Sequence, residues 1–167
     1  MTGIDSGLGE SMTTRIVELG RRMGATTDDL PELSRLRDDG VPSCWQQDGV
    51  WHLTVRERAR ILSDRQTTSA DEFLFFVAEQ ISDAKSRRLH PPGTPDFRRV
   101  SWQAQYDILH GVDPEWADTW LGQTRSRLVD AGVDDDVLAL LPTRADRLGR
   151  RQEQAAMTSS FTRAGSA

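Results

Sequence analysis

Cysteine, lysine and long apolar runs are what this sequence has least of. Cys44 is the one cysteine in 167 residues, so no disulfide can close within the chain and no zinc site can rest on thiolates alone. Its expected role is that of a small, half-buried packing residue, not a reactive thiol. Lys85 is the one lysine, and the remaining basic charge is arginine. No stretch approaches the roughly 18 apolar residues that a membrane-spanning helix needs. The first dozen residues, Met1 to Met12, carry Asp5 and Glu10 and lack the basic start and apolar middle of a secretory signal. A cytoplasmic protein that leaves membranes alone is expected. Glycine-rich phosphate loops and the zinc-protease helix motif are missing too, and no cofactor is expected.

What is present suits a folded chain. Apolar residues make up 37% and charged residues 28%, which is polar for a globular protein, but five Trp and five Phe supply large surfaces to bury. The net charge is −5 and unevenly spread: residues 101–142 carry two basic and eight acidic side chains. A nucleic-acid binder concentrates basic charge on one face. Here it lies in the middle of the chain and at its tail.

Periodicity predicts mostly helices. Met12, Ile16, Leu19 and Met23 give a first helix over Thr13–Met23, with Gly24 as terminator. Leu30, Leu33 and Leu36 suggest a second over Asp28–Asp39, ending at Gly40. Cys44–Leu53 reads as a β-hairpin, because Asp48-Gly49 suits a type I′ turn. That register sets Trp45 against His52 and Gln46 against Trp51, one tryptophan per face. Thr54-Val55-Arg56-Glu57 reads as a capping box opening a helix with Val55, Ala59 and Leu62 buried. Ser69-Ala70-Asp71-Glu72 is a second such box, ahead of the longest apolar helix, Ala70–Leu89, the expected centre of the core. The proline-rich joint His90–Pro95 interrupts the chain. Helices are then expected over Trp102–His110, from Asp113-Pro114 to near Gly132, and over Asp134–Leu141.

The order helix, glycine turn, second helix, two-stranded wing and further helix over residues 15–62 resembles a winged helix-turn-helix domain. Leu36-Arg37-Asp38-Asp39-Gly40-Val41 is similar to the end of a recognition helix, and Asp48 to Thr54 to a wing turn and its strand. The resemblance implies DNA binding, with Arg35 and Arg37 facing the nucleic acid. Asp28, Asp29 and Glu32 on the same helix would oppose a polyanion, which turns the expectation toward protein contacts.

The fold expected is therefore mainly α, with one short wing-like hairpin near residues 44–53. Residues 1–11 are expected to be disordered, 12–66 to form the winged-helix-like segment, 67–142 a helical segment packed on it, and 143–167 a basic helix and flexible tail. Asp107 and His110, three apart on one helix, have the spacing of a metal or acid/base pair, but a histidine at a helix C-terminus is commonplace. Arg56, Arg60, Lys85, Arg87, Arg88, Arg98 and Arg99 would make a basic patch if the fold joined them; solvated faces with pairs such as Asp83–Arg87 are the simpler outcome. Trp102, Trp116 and Trp120 concentrate aromatic surface in the most acidic segment, as core or as anchors for a protein partner.

With no catalytic motif, the expected function is a non-enzymatic regulatory or adaptor protein of bacterial or phage type. It would act through protein–protein contacts at Trp102, Trp116 and Trp120. The alternative is a DNA-binding transcriptional regulator using Arg35 and Arg37, the wing, and Arg144, Arg147 and Arg151 on one face of the last helix.

Overall fold

The computed structural model describes residues 8–143. Helix α1 spans Glu10–Arg22, and a meander follows of strands β1 (Ser43–Gln47), β2 (Val50–Glu57) and β3 (Arg60–Thr67). Helices α2 (Ala70–Leu89), α3 (Phe97–His110), α4 (Pro114–Asp130) and the short α5 (Asp135–Leu138) complete the described chain. About half of the described residues are helical, and the sheet has three antiparallel strands in the order β1-β2-β3. The mainly helical expectation thus holds in part: the helices and the hairpin are present, but the sheet is a three-stranded meander, larger than one hairpin.

Several elements form where the sequence places them. Asp48 and Gly49 take φ values of 52° and 81°, and the register pairs Trp45 with His52 and Gln46 with Trp51. Both central residues of this tight turn need positive φ, which asparagine-like residues and glycine adopt at least cost. Helix α2 has the expected bounds, and the Ser69 hydroxyl accepts from the Glu72 N–H at 3.3 Å. Helix α4 begins with proline in its first turn, after Asp113 accepts from the Glu115 N–H at 2.8 Å. Helix α3 starts five residues earlier than expected, at Phe97.

Two expected helices do not form. The segment 28–39 contributes only a 3-10 turn, Thr27–Asp29. Pro31 is the cause: it pushes the preceding residue out of the helical region, and Leu30 is extended at ψ 144°. The second failure is the helix opening at Thr54, where the chain continues β2, turns, and returns as β3. The recognition helix and the helix after the wing, on which the winged-helix order depends, are therefore an irregular segment and a third strand. Residues 8–11 are also part of the fold, since Leu8 is buried and Glu10 opens α1. Residues 1–7, and the expected basic helix with Arg144, Arg147 and Arg151, lie outside the described residues.

The core gathers around α2. Phe73, Val77 and Ile81 are fully buried, together with Ile16 of α1 and Leu109 of α3. Phe73 stacks on Trp51 of β2 with ring centroids 6.0 Å apart, which fixes α2 to the inner face of the sheet. Ser86 of α2 meets Ser101 of α3 at 3.3 Å, and Tyr106 of α3 donates to Asp118 of α4 at 2.9 Å. The sole lysine, Lys85, donates to the Met23 carbonyl at 2.7 Å and so satisfies an orphan acceptor at the end of α1. Cys44 is buried on the inner face of the sheet, and burial pushes its thiol pKa up, away from thiolate chemistry.

Asp29 anchors the irregular segment to α2. It is buried and receives both Nε and Nη2 of Arg88, at 2.9 and 2.8 Å, along with the Thr26 N–H. The Arg88 hydrogen bonds lead the effects that hold its carboxyl below the usual range. A lowered folded pKa gives stability that is present above the unfolded value and lost as pH falls through the folded one. Asp29→Asn is therefore expected to cost roughly 2–3 kcal/mol at pH 7, reduced because Arg88 is partly exposed, and less at pH 2. Urea titrations at the two pH values check this.

Candidate partner-binding cleft

The three strands present two chemically different faces. Side chains alternate along a strand, so Cys44, Trp51, Leu53, Val55, Ser63 and Arg65 point toward the helices, while Trp45, His52, Thr54 and Asp64 point away. On the outer face Trp45 stacks on His52 at 3.9 Å and donates from Nε1 to the Thr54 hydroxyl at 2.9 Å. Thr54 in turn donates to Asp64 at 2.7 Å, and His52 Nδ1 lies 3.3 Å from the same carboxylate. Burial pulls the Asp64 carboxyl upward, but the hydrogen bonds from Thr54, Gln66 and His52 outweigh it and leave the group below the usual range. Thr54 is 2% exposed, so its hydroxyl ties three strands together and is not placed to attack a substrate.

The inner face helps to form a cleft of about 230 Å³. Leu53 and Val55 of β2 and Ser63 and Arg65 of β3 line it on the sheet side. Helix α2 adds Phe76, Glu79, Gln80 and Asp83, α3 adds Gln105, and α4 adds Trp120 and Arg127. Its deeper lining is the buried set Leu53, Phe76, Glu79, Gln105 and Trp120.

Charge inside this cleft is arranged in pairs. Arg65 Nη1 donates to Glu79 Oε2, and the Arg65 guanidinium lies 3.8 Å over the Phe76 ring. Glu79 is 8% exposed, so Arg65 provides the partner a buried carboxylate requires. Asp83 accepts from Gln105 Nε2 at 2.7 Å and from Arg87 Nε at 3.0 Å. Arg127 is exposed and donates to the Thr124 hydroxyl at 3.2 Å, with no ion pair among the described residues.

The β2–β3 hairpin projects beyond the cleft. Its turn residues Arg58 and Ala59 take φ values of 50° and 63°, although neither is glycine. Asp38, from the irregular segment, holds the turn: its carboxylate accepts from the Ala59 N–H at 2.9 Å and from Arg56 Nε at 3.0 Å. A left-handed residue with a Cβ costs about 1 kcal/mol that glycine avoids. Ala59→Gly is thus expected to raise stability by up to about 1 kcal/mol, less whatever unfolded-chain entropy glycine adds, and a thermal melt reads it. Past the turn Ile61 and Leu62 are 65% and 55% exposed, beside a β-bulge at Val55/Arg56.

The residues singled out from sequence are scattered. Trp120 is 4% exposed and lines the cleft, Trp116 is half-buried against Phe75 at 5.8 Å, and Trp102 is half-buried at the edge of the core. Arg35 is exposed on the irregular segment, and Arg37 pairs with Asp39 and lies 4.0 Å from Glu32. Asp107 accepts from Gln103 Nε2 at 2.9 Å, and His110 tilts against Tyr106 at 5.8 Å. No group of three or more metal-ligating side chains occurs among the described residues. The basic set does not converge: Arg56 pairs with Asp38, Arg87 with Asp83, Arg88 with Asp29 and Arg99 with Asp96.

Sequence reasoning missed Arg65, Glu79, Gln105 and Arg127, and named Asp83 only as the partner of Arg87. Glu79 carried a readable signal, being a carboxylate inside the apolar run Phe73–Ile81 that would need a buried partner. Arg65 was hidden by the helix expected there.

The comparisons bear on this same body. Residues 47–126 match the model of a family described as Immunity protein 63, just under half of the chain. The match takes in β2, β3, α2, α3 and most of α4, and with them every residue lining the cleft except Arg127. No winged helix-turn-helix domain is indicated. No curated protein and no solved structure gives a significant match. No helix among the described residues is long and apolar enough to cross a membrane.

Proposed function

We propose that this chain is a non-enzymatic, immunity-type protein of the bacterial cytoplasm that binds a partner toxin protein and holds it inactive. The observation that carries the reading is the coincidence of two boundaries. The segment similar to the Immunity protein 63 family is also the segment that builds the cleft and its hairpin. Binding without chemistry suits this cleft, because its two carboxylates, Glu79 and Asp83, are committed to Arg65, Gln105 and Arg87. Trp102 of α3 and Trp116 of α4, both half-buried in the acidic segment, are further aromatic contacts this reading would use.

Neutralisation is tested by expressing toxic proteins of the same genome in a bacterial host, with and without the chain. Growth restored against one toxin, with the two proteins co-eluting as a stoichiometric complex, is the expected result. Restored growth without a complex would remove the binding mechanism. A salt-steep, sequence-preferring shift of genomic DNA fragments would replace the reading with the transcriptional regulator.

A further inference from the structure

We infer that the free edge of β3, together with the cleft beside it, receives an extended acidic segment of the partner protein as a fourth strand. The inference rests on the toxin-binding reading and deepens it by naming the recognition surface and the chemistry of what it recognises.

Three observations converge on this strip. First, β3 pairs with β2 alone among the described residues, so one side of its backbone presents unpaired donors and acceptors. Such an edge is a ready template for another strand. Second, the edge adjoins a cavity: Ser63 and Arg65 of β3 line the cleft whose opposite lining includes Arg127 of α4. Alternate side chains of an added strand would stand about 5 Å from those β3 residues and point into that space. Third, the strip holds basic charge that the fold leaves unpaired. Arg56, Arg58 and Arg65 are held by Asp38, Glu57 and Glu79. Arg60 and Arg127 are exposed and make no ion pair among the described residues. An inward carboxylate would meet Arg127, and one near the turn would meet Arg60.

The exposed Ile61 and Leu62 fit the same occupant. They lie at the start of β3, where branched side chains on an added strand would cover them. Asp38 holds the hairpin in place before any partner arrives, so less ordering remains to be done on binding.

The probe is a capped eight-residue peptide of alternating glutamate and valine, titrated into the full chain and followed by backbone amide resonances. Shifts confined to β3 and to the neighbourhood of Arg127 are expected, with binding at least about tenfold tighter than for the lysine–valine counterpart. Arg60→Glu combined with Arg127→Glu should remove that preference, Arg60→Lys should keep it, and an unchanged melting temperature excludes unfolding as the cause. Equal binding of both peptides, or shifts elsewhere, would overturn the inference. In the toxin complex, Leu62→Asp with Arg60→Glu should weaken binding by about tenfold or more. A complex indifferent to those changes would overturn this inference and leave the toxin-binding reading standing. Absence of any toxin complex would overturn that reading, and the peptide result would then decide the role of the edge alone.

Discussion

Phe73→Ala is expected to lower the free energy of unfolding by about 3–5 kcal/mol, read from urea denaturation. Phe73 has 0% exposure and sits where α2 meets the sheet, stacked on Trp51. Its removal deletes the transfer energy of a buried ring and leaves a cavity walled by elements that cannot collapse inward. The aromatic stack is lost as well, and Trp51, already half-buried, has no other ring contact of its kind among the described residues. Phe73→Leu should recover a large part of the loss, because most of the volume returns. If Phe73→Ala were nearly neutral, α2 would not be seated on the sheet through this residue.

Glu79→Ala is expected to cost about 3 kcal/mol, the lower end of the range for breaking a buried ion pair, since Arg65 is 36% exposed on its side chain. The double change Arg65→Met with Glu79→Leu should cost much less than the sum of the single changes, because no uncompensated charge remains. Arg65→Lys should recover little. An ammonium keeps the charge but not the planar contact over Phe76 at 3.8 Å. Additive single changes in a double-mutant cycle would show that the pair does not act as a unit. For the proposed function, the hydrophobic pair should keep the fold while altering the cleft, separating stability from partner affinity.

Much of the fold was legible because its signals are local. The type I′ turn at Asp48-Gly49, the Ser69 cap, the Asp113-Pro114 start and the apolar face of α2 all act within a few residues. The third strand was not legible, for an equally physical reason. Its turn uses Arg58 and Ala59, which have no preference for positive φ, and is held by Asp38 from some twenty residues earlier. Thr54-Val55-Arg56-Glu57 has the composition of a capping box, yet Thr54 uses its hydroxyl to join Trp45 and Asp64 across strands. Pro31 falls in the first turn of the helix expected over Asp28–Asp39, where proline is tolerated, but its effect on Leu30 decides the segment instead. The cleft inherited these errors, since two of its strand residues lie on β3.

Helix α2 touches α1, the 3-10 turn, both longer strands and α3. The first helix, the sheet and α3 therefore share one wall. Cutting the chain at the proline-rich joint would strip α2 of its packing against α3. Heating should accordingly give a single calorimetric peak whose van't Hoff and calorimetric enthalpies agree, and two resolved peaks would mean that the sheet and the C-terminal helices can part company without melting together.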